Sequence, residues 1–300
     1  MKAFFASLLG TLAALFLFVV GGFVVMMVFF GAIAAMSEKP VVVEPGAYLV
    51  FDLTADIADA PAQFDSTALA ALFAEEEGPK LLQLRNVTRA LRHAANDDRI
   101  AGVVLHGSFR PAGYGTGYAA LREVRAALAA VRDAGKPIVA HLEFPTTRDF
   151  YVASVATDLA LDPYGLVAVP GLAAEPMFLT GAFERFGIGV QVSRVGKYKS
   201  AVEPFTRRDL SPENREQLTT LLNDLWTELR DTIAQSRGLE PAALQAMVDS
   251  GRGFRPEHAL QQGLVDRLAY RDEIVSELKE TSGRGRRGSF KQVALHAYIR

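Results

Sequence analysis

The pattern of polar and apolar positions changes character along this chain. From Ala3 to Ser37 there is no charged residue, and the apolar part of that run extends from about Leu8 to Phe30. As a helix rising about 1.5 Å per residue, the run would reach roughly 50 Å, against a hydrocarbon core of about 30 Å. A cleavable leader has an apolar stretch of only about 7–15 residues. Ala32-Ile33-Ala34-Ala35 has the small-residue character of a cleavage site, but the length of the run predicts a transmembrane anchor over residues 1–37. Lys2 precedes the span and Glu38-Lys39 follows it. Counting basic residues leans toward an N-terminus inside, with the bulk of the chain outside the cytoplasm.

Beyond a linker at residues 38–46, apolar runs alternate with amphipathic stretches. Ala47–Leu53 reads as a strand, and residues 57–79 as an irregular excursion rich in Ala, Asp and Glu. Leu82, Leu84, Val87 and Leu91 recur at helical spacing over Leu81–Asn96, followed by the near-continuous apolar run Ile100–Leu105. Such a run suits a parallel strand covered on both faces. Tyr118–Ala134 is a second amphipathic helix, stopped by Gly135 and Pro137, and Ile138–Leu142 a second buried strand. Short helices are predicted at Thr147–Ala156 and Met177–Phe186, and short strands at Leu159–Leu161, Leu166–Val169 and Gly189–Val195. Ser211, Pro212 and Glu213 start a long helix whose leucines and Trp226 form a core-facing or subunit-facing stripe. A short helix closed by Gly263 and a short strand follow. Thr281–Ser289 reads as a solvated basic loop, and Lys291–Ile299 as a last strand. Helix and strand alternating at this spacing predict right-handed βαβ units, a parallel sheet and the α/β class.

Composition removes several functions. Acidic and basic residues nearly balance, with a formal net charge of −2, so no basic excess exists to displace counterions from nucleic acid. The absence of cysteine excludes disulfides, thiolate catalysis and cysteine zinc sites. No cofactor or metal is implied. Candidate chemistry lies instead at Lys199, just past the run Gly189–Val195 and before the turn closed by Pro204. A lysine walled off from water there loses its preference for the ammonium form and becomes a general base.

The segment Val195-Gly196-Lys197-Tyr198-Lys199-Ser200-Ala201-Val202-Glu203-Pro204-Phe205 closely resembles the lysine motif of the signal peptide peptidase A (protease IV) family, long form. Arg208-Asp209-Leu210-Ser211-Pro212 and Gly263-Leu264-Val265-Asp266 match it as well. Phe254 after Gly251-Arg252-Gly253, together with Ala259, resembles the closing element of the Clp protease/crotonase superfamily. The resemblance runs from the apolar span to about Ile299 and marks the chain as similar to the N-terminal half of the long form. It implies a crotonase-like domain over residues 47–270, built from repeated ββα units, with residues 271–300 as a linker and the start of a C-terminal half. It also implies a dome-shaped homotetramer on the outer face of the cytoplasmic membrane that digests released signal peptides and other apolar peptides.

Carried over, Lys199 is the general base, Lys197 falls at a variable position, and Glu203, Pro204 and Phe205 shape the loop. The family's serine segment, with two glycines and an aromatic pair, corresponds to Thr147-Arg148-Asp149-Phe150-Tyr151; only the aromatics fit. Its oxyanion segment corresponds to Ser108–Gly113, also altered. Thr147 and Ser154 are the remaining hydroxyl candidates, and the expectation is that the nucleophile comes from another domain, leaving this chain inactive alone. The alternatives are a non-catalytic membrane-anchored scaffold, an acyl-CoA enzyme of crotonase type, and a chain using its own Thr147 or Ser154.

Overall fold

A computed structural model describes residues 2–35, 42–60, 81–109, 116–251, 253–285 and 288–299. The chain divides into two units, residues 1–42 and 43–300. The first is one helix, α1 (Lys2–Ala35). Ser7–Phe29 is long and apolar enough to cross a membrane, and none of its most apolar window is buried. That fits a membrane anchor or a signal sequence.

In the second unit, mostly apolar runs form strands covered on both faces. β1 (Ala47–Asp52), β4 (Ile100–His106), β5 (Ile138–Leu142) and β6 (Asp158–Leu161) are largely buried. With β7 (Arg267–Leu268) and β8 (Gln292–Ala294) they form one sheet in the order β7-β6-β5-β4-β1-β8, and every pairing is parallel. Gly102 is required inside β4, because a Cβ there would lie 2.6 Å from the Pro137 carbonyl oxygen. Outside this sheet, β2 (Asp56–Ala58) pairs with β3 (Leu81–Gln83). Thr146 bridges Ala168, and Val167 bridges Phe254. A short extended piece therefore leaves the sheet after β1, β5 and β6.

Alternation along the strands builds two cores. One face (Leu49, Phe51, Val103, Leu105, Ala140, Leu159) packs α2 (Leu84–Asn96) and α3 (Tyr118–Asp133), with α4 (Thr147–Ala153) in the same cluster. The other (Tyr48, Val104, Val139, Ala160) packs Ile274 and Leu278 of α10 (Arg271–Ser282) and Phe290. Between α4 and α10 in sequence come α5 (Thr180–Phe186), the single-turn α6 (Glu203–Thr206), the long α7 (Pro212–Arg237), α8 (Pro241–Asp249) and α9 (Pro256–Gln261). α7 buries only its far end: Leu229, Ile233 and Ala234 are buried, while Leu221 is exposed.

Several expectations are corrected. The helix predicted over Leu81–Asn96 begins with the three-residue strand β3, because Leu81–Gln83 pairs with β2. Leu166–Val169 makes isolated bridges only. Gly189–Val195 forms no strand, for it has the alternation but no partner strand among the described residues. Lys291–Ile299 is not a single strand: β8 stops at Ala294, and Leu295–Tyr298 turns into α11. Residues from 271 on, expected as a linker and the start of a C-terminal half, include α10, β8 and α11, which lie in the same unit with Ile274, Leu278, Val293 and Leu295 buried in its cores. Most of the irregular excursion lies outside the described residues.

The end of α11 is tied to the end of α2. The Tyr298 hydroxyl donates to Asp97 Oδ2 at 2.8 Å and lies 2.6 Å from His93 Nδ1, while Arg99 grips the same carboxylate with two nitrogens. Arg99 holds Asp97 well below the usual carboxylate range, and burial and Asp97 together push the Tyr298 phenol far above its usual value. Tyr298→Phe is expected to cost about 1 kcal/mol, a typical net hydrogen bond. Chemical denaturation with an unchanged m-value checks it.

Candidate active site

Lys199 stands where an irregular stretch meets a short 3-10 turn (Ser200–Val202) that runs directly into α6. The turn before it depends on Gly196, whose φ of 93° is one that a side-chain-bearing residue rarely adopts. Local bonds brace the loop. Leu179 N–H donates to the Pro204 carbonyl at 2.7 Å, Thr180 Oγ1 to the Arg207 carbonyl at 2.6 Å, and the Phe183 and Phe205 rings stack 6.2 Å apart. Arg194 Nη1 donates to the carbonyl of Lys199 at 3.2 Å. Tyr198 donates to Glu216 on α7 at 3.1 Å, and Lys197 sits over the Tyr198 ring.

The brace centres on Glu203, which is fully buried. Its carboxylate accepts from the Ser211 N–H (3.1 Å), the Ser211 hydroxyl and Asn214 Nδ2 (3.0 Å), and Arg194 lies 3.7 Å away. It thereby fixes the N-terminus of α7, where Ser211 caps Asn214. Burial alone would raise the Glu203 pKa, but the Ser211 and Asn214 donors and nearby Arg207 outweigh it and hold the group below the usual range. A carboxylate depressed on folding contributes stability above its unfolded pKa and loses it as pH falls through the folded value. Glu203→Gln is therefore expected to cost about 1–3 kcal/mol near neutrality. The gap to wild type should close on acidification, which paired thermal melts at neutral and acid pH would show.

The loop is braced, yet the amine is open. Lys199 is exposed, and its side chain makes no hydrogen bond or ion pair among the described residues. Exposed apolar side chains surround it in sequence: Met177 and Phe186 are each 74% exposed and Val195 is 85% exposed. The walling-off expected from sequence is not supplied by the described residues.

The hydroxyl candidates are placed differently. Thr147 and Ser154 are buried at either end of α4, and the Ser154 hydroxyl donates to the Tyr151 carbonyl at 3.0 Å. Neither hydrogen-bonds to Lys199. Phe150 and Tyr151 are core residues. Where the resembling family has two glycines, Arg148 and Asp149 fill the space. Arg148 lies over the rings of Phe109 and Tyr118. Asp149 is fully buried and accepts from the Phe109 N–H (2.6 Å), the Ser108 hydroxyl (2.8 Å), and the Thr146 N–H (2.8 Å) and hydroxyl (2.7 Å). The backbone donor at the end of β4 is thus already satisfied by a carboxylate of the same chain. Arg110–Gly113, the rest of the altered oxyanion segment, lies outside the described residues. Sequence reading missed Asp149 as an acceptor, although Thr146-x-x-Asp149 carries the spacing of a capping box. No cluster of three or more His, Asp or Glu able to hold a metal occurs among the described residues.

Residues 130–284 match peptidase family S49. Among curated proteins, the chain is 31% identical over 202 residues to "Serine protease SPPA, chloroplastic" of Arabidopsis thaliana, covering 67% of this chain and 29% of that protein. It is 27% identical over 290 residues to "Protease 4" of Haemophilus influenzae, covering 93% and 46%. To "Protease 4" of Salmonella typhi it is 32% identical over 212 residues, covering 67% and 33%. The chain spans less than half the length of these relatives.

Proposed function

Because the chain belongs to peptidase family S49, we propose that it is the lysine-bearing half of a membrane-anchored Ser/Lys peptidase. Lys199 is the general base, and the serine comes from a domain outside these 300 residues. The carrying observation is the state of the amine: it is presented on a braced loop, left exposed, and makes no hydrogen bond or ion pair among the described residues. Such a group is complete only when another surface covers it. Docking would remove water, disfavour the ammonium form, and bring a serine oxygen within about 3 Å. The neutral amine then takes the serine proton as the hydroxyl attacks the peptide carbonyl, and returns it to the leaving amine. Backbone N–H groups must stabilise the oxyanion. In this chain the Phe109 donor is occupied by Asp149, which supports an oxyanion site on the partner domain.

The exposed apolar residues around Lys199 and on the near half of α7 are the surface for that docking and for a homo-oligomer. α1 is the anchor, with the second unit facing the periplasm at the bacterial inner membrane. Substrates are released signal peptides and other apolar peptides, which a tethered enzyme meets at high effective concentration. The rival reading is a non-catalytic scaffold using the same surface. Peptidase assays on this chain, alone and with a separately supplied serine-bearing domain, separate them. The expectation is no turnover alone and turnover on mixing. Binding on mixing without turnover would establish the scaffold.

A further inference from the structure

A second polar feature lies at the carboxyl ends of the strands, away from Lys199. On the sheet face that packs α10, β1 and β4 end in Asp52 and His106, His141 lies one residue before the end of β5, and Asp162 follows β6. The register sets Asp52 beside His106 and His106 beside His141. A cavity of about 310 Å³ opens over the two histidines, with Glu143, Phe144 and Arg271 also in its walls. Carboxyl ends of parallel strands are where ligands of open α/β sheets collect.

The walls are not equivalent. His141 is buried, with Nε2 3.1 Å from the Ala269 carbonyl and 3.9 Å from Asp162. It donates to that carbonyl and is fixed in place. The Ser108 hydroxyl is committed to Asp149. His106 and Arg271, by contrast, have no hydrogen-bond or ion-pair partner among the described residues. Phe144 is 63% exposed, an apolar ring beside an unused guanidinium. Glu143 disfavours a ligand carrying more than one negative charge. We propose that this cavity binds the C-terminal carboxylate of a short peptide, paired with Arg271 and His106, with its last apolar side chain against Phe144. The proposal rests on the peptide-handling reading above.

Burial, Arg271 and His141 push the His106 pKa down, against the pull of Asp52. A bound carboxylate reverses that balance, so binding takes up a proton at His106. Glu143, Asp162 and the carboxylate of Asp149 behind Ser108 complete the charges facing this region.

The test uses the full chain in detergent micelles and calorimetric titration with the tetrapeptide Ala-Ala-Ala-Leu as free acid, as C-terminal amide, and against inorganic phosphate. The free acid is expected to bind about tenfold more tightly than the amide, a step of about 1.4 kcal/mol. It should also bind more tightly near pH 6 than near pH 8, across the range where histidine titrates. Arg271→Gln, at an exposed position, should abolish the preference for the acid, and His106→Gln should flatten the pH dependence. Equal affinity for acid and amide, an unchanged Arg271→Gln variant, or phosphate displacing the peptide would each overturn the proposal. Binding is read on the chain without a nucleophile, so it is independent of cleavage. Turnover in the assembled enzyme without acid preference defeats this inference alone. Acid preference without turnover defeats only the peptidase reading.

Discussion

Lys199→Met in the assembled enzyme is expected to lower kcat on an apolar peptide about 10²–10⁴-fold, the range of general acid–base contributions. The fold should not notice. The side chain is exposed and bonds to nothing described, so stability should stay within about 0.5 kcal/mol of wild type. KM should change little if, as proposed, the amine acts on the serine proton and not on substrate groups. Lys199→Arg is the sharper control. It keeps charge and reach, but a guanidinium does not give up its proton in proteins, so activity should remain lost. Initial rates beside thermal melts decide the matter, and normal turnover by the methionine variant would end the dyad reading.

Asp149→Ala should bring the largest loss of stability. It strands the N–H groups of Phe109 and Thr146 and two hydroxyls that now share one buried carboxylate. Each buried donor left unsatisfied costs about 1–3 kcal/mol; with the hydroxyls free to turn elsewhere, about 3 kcal/mol is expected in all. At roughly 2–4 °C per kcal/mol for a domain of this size, Tm should fall by about 6–12 °C. Asp149→Asn keeps one acceptor oxygen and should fall between. A melt for the alanine variant within a degree or two of wild type would mean the carboxylate does not join β4 to α4 as its hydrogen bonds indicate.

Much of the fold was legible because burial leaves a period in the sequence. Ile100–Leu105 and Ile138–Leu142 are almost wholly apolar because helices or loops cover both faces, and α2 and α3 are amphipathic because one side meets the sheet. Period alone does not name a partner. Gly189–Val195 alternates like a strand and has none, and β8 ends after three residues because its ladder with β1 ends there. Lys199 was legible as a motif residue, but its surroundings were not, since exposure depends on chain segments far away in sequence. Asp149 was hidden for the opposite reason: it was read only as an unsuitable replacement for glycine, and its bond to Phe109 spans 40 residues. His106 and His141 were not singled out by the sequence, and only the register of β4 with β5 made them neighbours.

The outermost strands of the main sheet, β7 and β8, are two and three residues long. So little free ladder gives a second chain almost nothing to zip onto by backbone pairing, the usual route to fibrous aggregation. The homo-oligomer proposed above would therefore have to form through interlocking side chains, a contact that sequence can tune residue by residue and that comes apart without unravelling a strand.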